Sequence, residues 1–178
     1  MTLNDILTAA LAQLDRGHDP QTMELSRERL TGYANEAQAD LARAVGFSRR
    51  DEVTPVNGIA ALSSLPRVCI KVLKAEQLGR EVRFLRGVTG EIALPYNEEA
   101  ELTYVCEPKP LRLPQDVSEL PLHVHGLIVS YIVAKERMAG DVSTQRGANV
   151  YLSMYEAAKS KLRPHSGDSE SYKIINRY

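Results

Sequence analysis

Charge of one sign is what this chain most lacks: 22 lysines and arginines stand against 23 aspartates and glutamates over 178 residues, a formal net charge of -1. No global field therefore draws it onto DNA phosphates or an anionic membrane, and bulk nucleic-acid binding is disfavoured. Cysteine is nearly as scarce. Its two copies, Cys69 and Cys106, sit inside the apolar runs Val68-Cys-Ile-Lys-Val72 and Thr103-Tyr-Val-Cys106. Two small buried thiols in a reducing compartment are expected, with a disulfide between neighbouring strands as the alternative. Long apolar runs are missing too, and none approaches the ~20 residues that cross a bilayer. Met1-Thr-Leu-Asn-Asp-Ile6 carries neither a basic leader nor a cleavage site. The expectation is a protein made and kept in the cytoplasm unless it leaves inside something else, with no membrane partner.

Catalytic signatures are also wanting. There is no Gly-x-Ser-x-Gly, no zinc pattern and no Cys-His spacing of a known nucleophile, so neither catalytic residues, a metal nor a cofactor is expected. His123 and His125 form the only close histidine pair, but helical i,i+2 spacing points them apart, which makes them surface or cap residues. Gly87-Val-Thr-Gly90 lacks the lysine of a phosphate loop and reads as a hairpin turn. Arg49-Arg50 is followed at once by Asp51-Glu52, so it reads as a solvated loop rather than a nucleic-acid patch.

What is present is the composition of an ordinary globular protein, 25% charged and 43% hydrophobic, of a length that fits a single domain over residues 1–163. Residues 1–46 read as a helical hairpin. Leu3, Ile6, Leu7, Ala10, Leu11 and Leu14 recur at helical spacing behind a Thr2 cap with Asp5 as its box partner, and Gly17 ends that helix. Asp19-Pro20 starts the second, whose buried face is Met23, Ser26, Leu30, Tyr33, Ala37, Leu41 and Val45. Residues 47–108 turn to period two. Val68, Ile70 and Val72 mark one strand face, Glu81 to Leu85 a second strand, Glu91 to Leu94 a third and Glu101 to Val105 a fourth, with turns at Thr54 to Gly58, Leu65-Pro66 and Leu78-Gly79, an antiparallel meander. Residues 118–163 return to helices, one through Val124, Leu127, Ile128, Tyr131, Ile132, Lys135 and Met138 to Gly140, another from Thr144 to Leu162. The fold class is thus α+β, a four-helix body with an inserted meander. Residues 164–178 form a C-terminal arm ending in Tyr172, Lys173, Ile174, Ile175, Arg177 and Tyr178. Its apolar side chains need cover, either on the chain's own core or on a partner.

The order of these pieces resembles the head-to-tail connectors of tailed bacteriophages, of the adaptor type that sits beneath the portal ring. The resemblance is carried by the helical hairpin, the strand Ala100-Glu-Leu-Thr-Tyr-Val-Cys-Glu-Pro108, the turn Asp116-Val-Ser-Glu-Leu-Pro121, the helix closing on Ala139-Gly-Asp141, and a last helix with an extended tail. It implies a virion neck protein without catalytic residues that forms a ring of twelve copies, binds the portal protein and the next tail or neck protein, and lets phage DNA pass without reading it. Near-zero net charge suits such a channel wall, because a basic lumen would hold the phosphates. A small oligomeric binding or regulatory module without catalytic activity is the alternative.

Overall fold

The computed structural model describes residues 1–15, 20–87, 90–139 and 148–162. Four α-helices lie among them, α1 Leu3–Gln13, α2 Pro20–Val45, α3 His125–Ala139 and α4 Ala148–Lys159, with a helical turn over Leu122–Val124 leading into α3. Seven strands fall between α2 and α3: β1 Ser48–Val53, β2 Ile59–Ala61, β3 Cys69–Gln77, β4 Arg80–Val82, β5 Leu85–Arg86, β6 Glu91–Ala93 and β7 Ala100–Cys106. They pair antiparallel throughout, in a four-stranded sheet of order β1-β7-β3-β4 and a three-stranded sheet of order β2-β6-β5. This is the α+β body with an antiparallel insert, the insert being divided over two sheets.

Helix α1 begins with the expected box. The Asp5 amide donates to Thr2 Oγ1 at 3.1 Å and the Thr2 amide donates to Asp5 Oδ2 at 2.9 Å, so aspartate fills the place usual for glutamate. The helix stops at Gln13, with Asp15 in the left-handed region at φ 54, earlier than the Gly17 stop expected, which lies outside the described residues. Leu3, Ile6, Leu7, Ala10 and Leu11 are buried against α2 and α3. On α2 the buried face is Met23, Ser26, Leu30, Ala34, Ala37, Leu41 and Val45, the 3.6-residue stripe of a core-facing helix. A helical core made by these residues, α3 and Tyr155 meets a second core between the two sheets, and Phe47 packs against both.

Several strand expectations are corrected. Arg49 to Glu52 is not a loop but most of β1, paired residue for residue with β7 from Ser48↔Val105 to Val53↔Ala100. An edge strand bonded on one side can be charged along its length, which hides it from a hydrophobic pattern and blunts it against further pairing. On β3 the simple alternation fails. Val68 is 64% exposed, and register shifts after Cys69 and after Val72 leave Val72, Ala75 and Gln77 as the buried positions, because each extra residue in a bulge resets which face the next side chain takes. The stretch from Glu81 to Leu85 is not one strand: Arg83 and Phe84 break it, β4 pairing with β3 and β5 with β6.

Two tight turns of two residues each reverse the chain, one between the bridged residues Val56 and Ile59 and one between β3 and β4. Asn57 and Gly58 have φ 53 and 75 between Val56 and Ile59, whose backbones exchange hydrogen bonds of 2.8 and 3.0 Å. Leu78 and Gly79 have φ 52 and 71 between Gln77 and Arg80. Both are turns with two left-handed residues, the twist that suits a hairpin.

The stretch 107–121 runs from β7 to α3 without regular structure, yet its polar groups are paired. Asn35 on α2 treats Leu111 as a strand neighbour would: its Oδ1 accepts from the Leu111 amide at 2.8 Å and its Nδ2 donates to the Leu111 carbonyl at 3.0 Å. Gln38, one turn on, donates to Asn35 Oδ1 at 3.2 Å and accepts from Ser118 Oγ at 2.8 Å. Asp116 Oδ2 accepts from the Arg112 and Leu113 amides, both at 2.8 Å, and those bonds, Leu113 first, hold its carboxyl below the usual carboxylate range. Glu119 takes the Lys109 amide and Arg67, each at 2.7 Å. From the other side the N-terminal residues close on it, the Leu3 amide donating to the Asp116 carbonyl at 2.7 Å and the Asn4 amide to that of Pro114 at 3.0 Å. The proline-punctuated stretch is therefore a hydrogen-bonded bracket that fixes the sheets to the helical body.

Candidate functional site

The residues expected to bind a portal or a neighbour, Tyr172, Lys173, Ile174, Ile175, Arg177 and Tyr178, lie outside the described residues, as do Gly140, Asp141 and the start expected for the last helix at Thr144. What the structure places are the remaining candidates. His123 is exposed and His125 is 2% exposed, so the two do not converge. His125 is not the surface or cap residue expected. It is a core histidine at the start of α3, its Nε2 2.8 Å from the Leu120 carbonyl and its Nδ1 2.8 Å from the Met1 amine. A carbonyl can only accept and an ammonium can only donate, so these partners select the neutral ring with its hydrogen on Nε2. Burial chiefly, with the Met1 ammonium and His123 adding to it, holds the imidazole below its ordinary value. Among the described residues no group of three or more His, Cys, Asp or Glu side chains is placed to hold a metal.

Gly87 and Gly90 bound the link between β5 and β6, strands that pair antiparallel, which is the hairpin connection expected of that stretch; Val88 and Thr89 lie outside the described residues. Arg49 lies 3.7 Å from Asp51, and Arg50 lies 3.9 Å from Glu101 on the neighbouring strand. The outer face of the four-stranded sheet alternates sign in the same way, with Lys74 beside Glu76 and Glu81. Such a face presents no continuous positive stripe to a phosphate backbone.

Two apolar surfaces left uncovered among the described residues, neither anticipated from the sequence, are the strongest features for recognition. The first is the outer face of the small sheet. Register puts Leu85, Ala93 and Ile59 opposite one another across its three strands, and the bridge Val56↔Ile59 extends the row. Directly opposed residues share a face, so these four side chains form one apolar row, with Val56 71%, Ile59 47% and Leu85 76% exposed. The next row, Ala60 and Ile92, faces the core at 2% and 0% exposure. A small sheet apolar on both faces has one face still to cover.

The second surface is the free side of α4. Tyr155 anchors this helix, 1% exposed, its hydroxyl donating to Asp40 Oδ2 at 2.7 Å while Lys159 reaches the same oxygen at 2.8 Å. Burial first and the adjacent Asp40 carboxylate second push the phenol far above its usual value, so it stays a donor. On the opposite side Asn149, Val150, Ser153, Met154 and Ala157 line a shallow hollow of about 360 Å³ without a single charge. Val150 and Met154 are 58% and 64% exposed there. The sequence signal for this face existed: Val150, Met154 and Ala157 are themselves spaced i, i+4, i+7, a second stripe beside the one through Tyr151 and Tyr155. For the small-sheet row no such signal exists, because strands of two and three residues are too short to display a period.

A groove is made of two adjoining hollows. Hollows of about 340 and about 580 Å³ share Pro66, Arg67 and Val68, the first reaching Asn35 and Pro108, the second Leu62, Cys69 and Glu91. No helix among the described residues is long and apolar enough to cross a membrane. No protein-family model and no curated protein matches this chain.

Proposed function

We propose that the chain is a structural virion protein, a head-to-tail connector of the adaptor type that docks under the portal ring, extends the DNA channel and offers a platform to the next tail or neck protein. The observation that carries the reading is the pair of unlike apolar surfaces, a sheet row at Ile59 and Leu85 and a helix face at Val150 and Met154. A ring subunit joins head to tail, one surface meeting a different surface on its neighbour, and so needs two faces of this kind. The bracket at 107–121 supplies the rigidity, because the sheets and the helices then move as one piece. In this reading Tyr172, Lys173, Ile174, Ile175, Arg177 and Tyr178 are the arm that reaches the portal, no residue is catalytic, and the copies number twelve to match the portal.

The test is native mass spectrometry of the protein mixed with the portal encoded beside its gene, with deletion of residues 165–178 and the substitution Met154→Asp in parallel. Twelve copies per portal ring are expected for the wild type. The deletion is expected to lose docking while keeping its thermal transition, and the aspartate, a charge on an apolar contact, to lose ring closure while remaining a folded monomer. Normal docking by the deletion removes the arm from the reading, and no association of the wild type at low and moderate salt removes the reading itself. One observation favours the alternative of a small binding module: the groove at Pro66 to Val68 has the volume of a small-molecule site. A ligand that raises the thermal transition of the portal-free protein would support it.

A further inference from the structure

Cys69 and Cys106 are direct partners across β3 and β7, and both are free thiols. Their position in the ladder is specific. The Glu107 amide donates to the Val68 carbonyl at 3.1 Å, a bond between the residues just outside the pair, which makes Cys69 and Cys106 a non-hydrogen-bonded pair. In antiparallel sheets this is the close site, with Cα atoms about 4.5 Å apart and the side chains nearest each other. That separation lies within the span a disulfide bridges. The two side chains also share a face: Cys106 is fully buried in the core between the sheets, and Cys69 packs against that core from its edge.

Access is one-sided. Cys69 is half-buried and lines the hollow of about 580 Å³ with Leu62, Pro66 and Arg67, open to a small reagent, whereas Cys106 is fully buried. The register shift immediately after Cys69 leaves this end of β3 irregular, where a cross-link has slack to form and something to tighten.

We propose that Cys69 and Cys106 are a modification site, a latent cross-strand disulfide closed by exchange with a small-molecule disulfide such as oxidised glutathione. Cys69 Sγ, as the thiolate, attacks one sulfur of the reagent RSSR; that S–S bond breaks, and the departing thiolate takes up the proton Cys69 gave. Cys106 Sγ then gives up its proton and attacks Cys69 Sγ, forming the intrachain S–S bond and expelling the second reagent thiol, which leaves protonated. Two protein thiols are oxidised and one reagent disulfide is reduced to two thiols. Burial raises both cysteines above the ordinary thiol range, Cys106 to about 11, so few thiolates exist at neutral pH and the pair stays open where the glutathione pool is reduced. The moment of closure, when a particle leaves the cell, rests on the virion reading; the chemistry does not.

The experiment uses the isolated full-length protein, so it stands whether or not rings form. Incubation with oxidised glutathione at about pH 8.5 is followed by alkylation in denaturant, intact mass and peptide mapping. The expected product is monomeric, lighter than the reduced protein by the two hydrogens lost, has no alkylated cysteine, and yields one peptide joined through Cys69 and Cys106. Its thermal midpoint should rise by about 8–15 °C, the shift expected of a bridge that closes a loop of this length. Cys69→Ser, at the half-exposed position, should leave Cys106 alkylated only after unfolding. Two free thiols after treatment, a glutathione adduct that persists on Cys69, or a cross-linked dimer would each overturn the proposal.

Discussion

Asn35 tests the bracket directly. Its side chain satisfies both backbone groups of Leu111, a residue 2% exposed, through bonds of 2.8 and 3.0 Å. In Asn35→Ala the Leu111 amide and carbonyl stay buried without that partner. Each such group costs about 1–3 kcal/mol, so a loss of about 2–4 kcal/mol is expected, allowing for partial entry of water. Asn35→Asp separates this from loss of packing. The aspartate keeps the oxygen that accepts from the amide but turns a second oxygen toward the Leu111 carbonyl, where only a protonated acid can donate. Its folded-state pKa must then rise above the unfolded value of about 3.9. A raised acid favours the folded state below its unfolded pKa and loses that advantage as pH climbs through the folded value, at up to about 1.4 kcal/mol per unit. Urea unfolding of wild type, Asn35→Ala and Asn35→Asp at pH 4.5 and 7.5 reads this as a difference from wild type at each pH. The aspartate should approach wild type at the lower pH and match the alanine at the higher. Equal aspartate penalties at both, or an alanine penalty under about 1 kcal/mol, would mean that Asn35 does not carry the bracket.

Burial lowers the His125 imidazole below its ordinary 6.5, so the unfolded chain binds the proton first and stability should fall as pH drops below about 6.5, by at most about 1.4 kcal/mol per unit. Denaturant midpoints from pH 5 to 8 for wild type and His125→Gln check this; the variant should be less stable at pH 7.5 and flatter across the range, and an unchanged slope would refute it. Leu78 sits 70% exposed at φ 52, a left-handed conformation that a leucine disfavours by about 1–2 kcal/mol. Leu78→Asn should therefore raise the thermal midpoint by about 2–4 °C, and a lower midpoint would show that the leucine makes a contact worth more than the strain.

The helices were legible because each of their long stripes spans several turns: Leu3 to Leu11 and Met23 to Val45 are both periodic and buried, and Thr2 with Asp5 announces a cap through two short polar side chains at fixed spacing. The sheets were legible only as a region. β1 is written in arginine, aspartate and glutamate because its exposed edge permits charge, β3 carries two bulges that erase its alternation, and β5 with two residues has no pattern to read. His125 looked like one of a surface pair because sequence separation says nothing of the Leu120 carbonyl and Met1 amine that enclose it. The cysteine alternatives could not be separated from sequence either, since strand-like runs reveal neither register nor which positions of the ladder are the close ones.

The pairing of residues 1–4 with 114–118 sets an order of assembly for the newly made chain. α1 is synthesised first, yet only part of its apolar cover comes from neighbouring α2; the rest comes from α3, and the backbone groups it needs come from the bracket, more than a hundred residues downstream by the Met1 and His125 contact. The four-stranded sheet draws on nothing beyond β7, so it can close as soon as Cys106 is made, while the first helix waits with its buried face only partly covered by α2. Contacts this distant in sequence slow folding and lengthen the interval in which apolar side chains are open to wrong partners. Aggregation during rapid expression should accordingly respond to α1, through substitutions that leave the finished protein's stability untouched.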